Sequence, residues 1–134
     1  MTLVDTNLLL DIVTDDPVWA DWSIRHLEMC AAEGSIIIND VVYAELSVRF
    51  DRIETLDHML DASGITLAAM PRPALFLAGK IFQRYRAAGG TRNGVLPDFF
   101  IGAHAVVAGL PLLTRDIRRY RTYFPTIRLI APQS

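Results

Sequence analysis

The chain has 134 residues, a net charge of −2, 51% hydrophobic and 21% charged residues, which suits a single compact domain over 1–134 and excludes a disordered or strongly basic protein. No apolar run approaches the ~18 residues that cross a bilayer, and the start of the chain has no basic segment leading into a long apolar stretch, so a cytoplasmic protein is expected. The lone Cys30 cannot form an internal disulfide and no Cys/His cluster forms a zinc signature, so any metal would be held by oxygen.

Thr2–Val4 begins a short apolar strand, and LLLDIV after Asn7 reads as helix until Asp15, Asp16 and Pro17 interrupt it. From Pro17 to Glu33 apolar residues recur at helical spacing (Val18, Trp19, Trp22, Leu27, Cys30), and Gly34 supplies the stop. SIIIND is a strand of consecutive isoleucines, the pattern of a strand covered on both faces, ended by Asn39 and Asp40. VVYAELSVRF and RIETLDHMLDAS read as helices, with Gly64 closing the second. ITLAAM is a further strand, and Pro71 and Pro73 open a helix through Arg86. GGTRNG is loop. PDFFIGAHAVVAG is apolar around its circumference, a buried helix over 97–108 stopped by Gly109. LPLLT is strand, Asp116 to Tyr123 a short arginine-rich turn or helix, and TIRLIAP a last strand cut off by Pro132. Strands alternating with helices, with apolar strands throughout, predict an α/β fold in which a parallel sheet has helices on both faces.

Ligands of such sheets bind beyond the carboxyl ends of the strands. There the first strand runs into Asp5, the second into Asn39 and Asp40, and LPLLT into Thr114, Arg115 and Asp116. Asp98, in the first turn of the buried helix, and Glu45, in the helix after SIIIN, can reach the same rim. Each acid also has a purely architectural use. Asp5 and Asp116 fit as N-caps, Asp98 complements a helix dipole, and Glu45 can pair with Arg49 four residues on. Against the last, Val41, Glu45 and Val48 share one stripe, so the carboxylate interrupts an apolar face. Four acids on one rim would repel one another and raise one another's pKa values unless a cation compensated them. Mg²⁺ or Mn²⁺ does so with oxygen ligands. Of the 13 basic residues only Lys80 is not arginine, and the arginines gather at 84–92 and 115–121. Arginine suits phosphate. Acids, a hard cation and arginines together point to metal-assisted phosphodiester hydrolysis.

In order along nearly the whole chain, VDTNLLL, YAELSVR, PDFFIGAHA and LLTRDIRRY resemble the motifs of the PIN domain, and more narrowly of VapC-type toxins from bacterial toxin–antitoxin pairs. The resemblance implies a three-layer α/β/α fold with a central parallel sheet and a metal-dependent endoribonuclease that arrests growth. It implies an acidic site of Asp5, Glu45, Asp98 and Asp116. Asp5 and Asp98 would be the principal ligands, Asp116 would bind metal directly or through water, and Glu45 would hold a second ion or orient the attacking water. Asn7 and Thr114 would position these carboxylates, and Arg115 and Arg119 would meet the RNA. It further implies a homodimer and a VapB-like antitoxin partner. His104, on an apolar helix, is expected to be structural, and Trp19 and Trp22 to be core, with any exposed edge serving the antitoxin or the dimer. A housekeeping PIN nuclease of RNA processing and a Mg²⁺-binding receiver-like signalling module remain alternatives. A receiver needs a lysine at a late strand end, whereas Lys80 lies mid-helix. A haloacid-dehalogenase-type phosphatase needs an aspartate where Asn7 stands.

Overall fold

The computed structural model describes residues 1–132, so the final two positions of the expected 1–134 domain lie outside the described residues. Its elements are β1 (Thr2–Val4), α1 (Thr6–Val13), α2 (Ala20–Glu33), β2 (Ile36–Ile38), α3 (Asp40–Ser47), α4 (Ile53–Ala62), β3 (Ile65–Leu67), α5 (Arg72–Ala87), α6 (Leu96–Ala108), β4 (Leu112–Leu113), α7 (Ile117–Tyr123) and β5 (Leu129–Ile130). All five strands are parallel, in the order β3-β2-β1-β4-β5. Leu3 sits opposite Ile37 on one side and Leu112 on the other.

The steps from β1 to β2 to β3 run one way across the sheet, and β3 to β4 to β5 run back. Right-handed crossovers therefore place α1–α4 on one face and α5–α7 on the other. The helix contacts agree. α1 packs on α2 and α3, and α3 on α4, while α6 packs on α5 and α7; α3 and α6, from opposite faces, also meet each other. This is the expected α/β/α sandwich. It is not a receiver, whose strand order is 2-1-3-4-5.

The core lies where the expected apolar strands run. Every residue of β1, β2 and β4 is buried, and Leu8, Leu46, Phe99 and Ile101 are fully enclosed against them. The strands are shorter than the apolar runs suggest, because only residues laddered to a neighbour hold the pairing. β3 also departs from the both-faces-covered expectation. As an edge strand it buries Ile65 but exposes Thr66 and Leu67. Upstream, α2 begins at Ala20 instead of Pro17, because Asp16 Oδ1 accepts from the backbone N–H groups of Val18 and Trp19 and holds 16–19 as a turn. α3 ends at Ser47, short of the expected Phe50. Trp19 and Trp22 are both half-buried, and of the two Trp22 packs against the core; they meet edge to face at 6.0 Å, and Trp22 stacks on His26 at 3.9 Å.

Two devices aim the late elements at the sheet's rim. Gly102 of α6 has no side chain where the Phe124 ring lies, so any Cβ there would collide with it and push away the end of α7. His104, 2% exposed, is held through Nδ1 by Asn39 Nδ2 at 3.1 Å. Asn39 in turn caps α3, accepting from Val42 N–H at 3.0 Å. His104 is thus a structural tie between α6 and the start of α3, and burial lowers its pKa below the ordinary imidazole value.

Candidate active site

The strand order reverses between β1 and β4, which is the point where an open parallel sheet leaves a crevice at its carboxyl edge. Asp5 stands at that point. Its backbone N–H continues the ladder to Leu113 O at 2.9 Å, so its side chain is delivered to the rim by sheet pairing. Oδ1 accepts from Thr6 N–H at 2.7 Å, and Oδ2 accepts from the Thr114 hydroxyl at 2.7 Å and the Tyr120 hydroxyl at 2.9 Å. The residue is only 4% exposed. Burial drives its pKa up to about 7, helped by the Asp98 charge and opposed by the hydrogen bonds from Thr114, Tyr120 and Thr6.

The other three acids share one cavity of ≈ 410 Å³ with Asp5, whose walls also include Thr6, Asn7, Arg49 and Arg119. Glu45 enters from α3 and accepts through Oε1 from the Thr6 hydroxyl at 2.5 Å. It forms no ion pair with Arg49 among the described residues. The apolar-stripe argument for Glu45 fails on Val48, which is 83% exposed. α3 buries Val42 and Leu46 instead and turns Glu45 to the cavity. Asp98, in the first turn of α6, accepts from Arg119 Nη1. Asp116 caps α7, accepting from Arg119 N–H at 3.1 Å, and lies 3.9 Å from Arg119 Nε. Capping and cavity-lining coexist at both Asp5 and Asp116.

Burial is the largest cause raising the pKa of Asp98 and of Glu45, and a neighbouring carboxylate adds to each. Arg119 opposes the rise at Asp98 and Thr6 opposes it at Glu45. Mutual repulsion of the acids is therefore secondary to burial. Three carboxylates with raised pKa values facing one space are an unmet demand for positive charge. Their all-oxygen donor set suits a hard divalent cation. As they stand, no three carboxylates among the described residues are close enough together to cage an ion. Arg119 holds the place of a counter-charge at Asp98.

Asn7 and Thr114 occupy supporting positions. Besides bonding Asp5, the Thr114 hydroxyl oxygen accepts from Asp116 N–H at 3.0 Å and, weakly, from Asn7 Nδ2 at 3.5 Å. Asn7 Oδ1 accepts from Arg115 N–H at 3.4 Å. One threonine thus links Asp5 to Asp116. The structure does not bring the Arg115 side chain to the cavity. Its guanidinium turns away to Asp11, with Nε to Oδ2 at 2.6 Å and Nη2 to Oδ1 at 2.9 Å, and lies 5.0 Å from the centre of the Trp19 ring. Of that pair only Arg119 lines the cavity.

Sequence reasoning missed Thr6, Tyr120 and Asp11. Tyr120 carried a faint signal: in RDIRRYRTYF, Ile117, Tyr120 and Phe124 recur at helical spacing among charged residues, and Tyr120 and Phe124 are the two that bury.

The PIN domain model matches residues 2–125. The chain belongs to the PIN-domain family. Solved structures agree on the fold of this PIN domain. VapBC2 from Rickettsia felis, bound to a DNA fragment from its promoter, aligns with TM-score 0.74 and 22% identity over 98% of both chains. A toxin–antitoxin complex from Klebsiella pneumoniae aligns with TM-score 0.69 and 21% identity over 100% of this chain and 99% of the other. FitAcB from Neisseria gonorrhoeae aligns with TM-score 0.67 and 18% identity over 97% and 96%. No curated protein matches the chain.

Proposed function

We propose that this PIN domain is a Mg²⁺- or Mn²⁺-dependent endoribonuclease and the toxin of a VapBC-like pair, active as a homodimer and restrained by a VapB-like antitoxin. The observation that carries this is the single cavity onto which β1, α3, α6 and the turn after β4 each bring a carboxylate, three of them with raised pKa values. Toxin–antitoxin complexes among its structural neighbours support the assignment to a toxin.

Asp5, Asp98 and Asp116 would hold the cation. When bound, a hard divalent ion supplies Lewis-acid stabilisation of the charge that develops on a phosphate oxygen. The chain's own residues supply the rest. Thr114, Tyr120 and the Thr6 N–H fix Asp5 in one orientation, so no reorganisation is needed as charge develops. Glu45, fixed through Oε1 by Thr6, has Oε2 without a hydrogen-bond partner among the described residues. Its raised pKa suits it to take a proton from an attacking water. Arg119, flanked by Asp98 and Asp116, can move from carboxylate to an incoming phosphate, exchanging one anion that a guanidinium grips through paired oxygens for another.

The test is purified protein with end-labelled single-stranded RNA in Mg²⁺ or Mn²⁺, with chelator as control, beside expression in a bacterial host. Internal cleavage that stops with chelator, and growth arrest relieved by Asp98→Asn, are expected. Cleavage that persists in chelator overturns the metal, and cleavage without growth arrest favours the housekeeping nuclease over the toxin.

A further inference from the structure

The acidic cavity has a neighbour of opposite character. A second cavity of ≈ 480 Å³ is walled by Tyr85, Arg92, Arg118 and Tyr123, and it shares Asp116 and Arg119 with the first. It thus presents three arginines against one acid. Arg92 and Arg118 are exposed, and neither guanidinium has an ion-pair partner among the described residues.

The loop that carries Arg92 is nevertheless held in place. Arg92 N–H donates to the Tyr85 hydroxyl at 2.9 Å, Gly90 N–H to Tyr85 O at 2.9 Å, and Arg86 Nη2 to Asn93 Oδ1. Gly90 lies so close to the Tyr85 ring that a Cβ would overlap it, so the loop closes on α5 only with glycine there. Tyr85 meets Tyr123 edge to face at 6.1 Å, and Tyr123 packs on Phe99 at 4.8 Å. The backbone of a free-armed arginine is fixed at the lip of an aromatic-walled cavity.

We infer that this second cavity is the subsite for the nucleotide next to the scissile one, with Arg92 and Arg118 gripping its backbone phosphate. The inference rests on the ribonuclease reading. A chain cut internally has a further phosphate beside the one being cleaved. The carboxylate cavity repels that second phosphate, while an adjoining pocket with surplus guanidinium charge attracts it. Tyr85 and Tyr123 add aromatic surface of the kind single-stranded nucleic acid uses. Arg119, in the shared wall, would touch both phosphates.

Binding without turnover separates this inference from the nuclease reading. Anisotropy of a fluorescent single-stranded oligouridylate is followed in chelator, over a range of salt, for the wild-type chain, for Arg92→Ala/Arg118→Ala, and for Arg25→Ala/Arg128→Ala. The last pair removes the same charge from exposed sites outside both cavities. The cavity variant should bind about tenfold or more weakly, since hydrogen bonds to charged groups contribute at least one decade. Its log–log salt slope should be shallower by about 0.7, for the one phosphate contact removed. The control variant should lose far less. Equal affinity and slope in the cavity variant, or an equal loss in the control, overturns the subsite. RNA cleavage in Mg²⁺ or Mn²⁺ without arginine-dependent binding leaves the nuclease standing and removes the subsite. Arginine-dependent binding with no cleavage in either metal overturns the nuclease reading and the subsite with it, since no scissile bond then lies beside the pocket.

Discussion

The turn after β4 has two sides, and they treat arginine in opposite ways. On one side Arg115 is bidentate to Asp11, itself 3% exposed; Asp11 Oδ2 also accepts from Ser23 Oγ at 3.0 Å, and Trp19 covers the guanidinium. Every charge there has a partner. On the other side Arg119 stands between Asp98 and Asp116, with Asp5 and Glu45 lining the same cavity. Negative charge there exceeds positive, and the burial of Asp5, Glu45 and Asp98 raises their pKa values. A closed, satisfied ion pair holds the turn in place, and the open, under-compensated group beside it is where chemistry can enter.

The largest break in that contrast is Asp98→Asn. It should reduce RNA cleavage by more than ~100-fold, beyond the loss typical of a residue that merely supports a metal ligand, while the urea midpoint stays close to wild type. Loss of folding instead would make Asp98 architectural.

The two arginines sharpen the contrast through stability. Arg115→Ala leaves Asp11 buried without its counter-charge and should cost about 3 kcal/mol in urea unfolding, as broken buried pairs do. Arg119→Ala removes a contact at the edge of an open cavity and should cost less than about 1 kcal/mol while raising KM for RNA. The reverse ranking would erase the distinction between the sides.

Tyr120→Phe removes one of the donors to Asp5 Oδ2. It should weaken Mn²⁺ binding about tenfold in a thermal-shift titration, the usual size of a supporting hydrogen bond to a metal ligand, with little change in the unliganded melting temperature.

The smallest effect is the pH dependence contributed by His104. Its folded pKa is depressed, so the unfolded chain binds the proton more readily. The stability that neutral His104 contributes is full above the unfolded value of 6.5 and is lost as pH falls through the lowered folded value. The wild-type urea midpoint should therefore decline relative to that of His104→Gln as pH drops below 6.5. Parallel profiles would show that the imidazole does not titrate on unfolding.

Much of this was legible because α/β folds write their active rim in a local code. Apolar triplets such as LVD, IIN and LLT end in the polar residue that marks the carboxyl edge, and Asp5, Asn39 and Thr114 all stand there. Asp98 and Glu45 needed only a helix start and a helical turn count. Contacts between distant segments had no such code. Nothing near Arg115 points to Asp11, 104 residues away, and in a string of arginines the chain gives no sign that one is turned inward and spent. Val48 misled for a related reason: hydropathy records what a side chain prefers, whereas its 83% exposure follows from where α3 sits over the cavity. Tyr120 lay hidden in an arginine-rich helix because its value lies in one hydroxyl reaching 115 residues back to Asp5.

Calorimetric titration of the purified protein with Mn²⁺, beside Asp5→Asn and Asp98→Asn, bears most directly on the carboxylate cavity. Saturable binding to wild type, abolished in both variants while their folds persist, is predicted. Undiminished binding in the variants, or none in wild type, would contradict a metal-dependent reaction at this site.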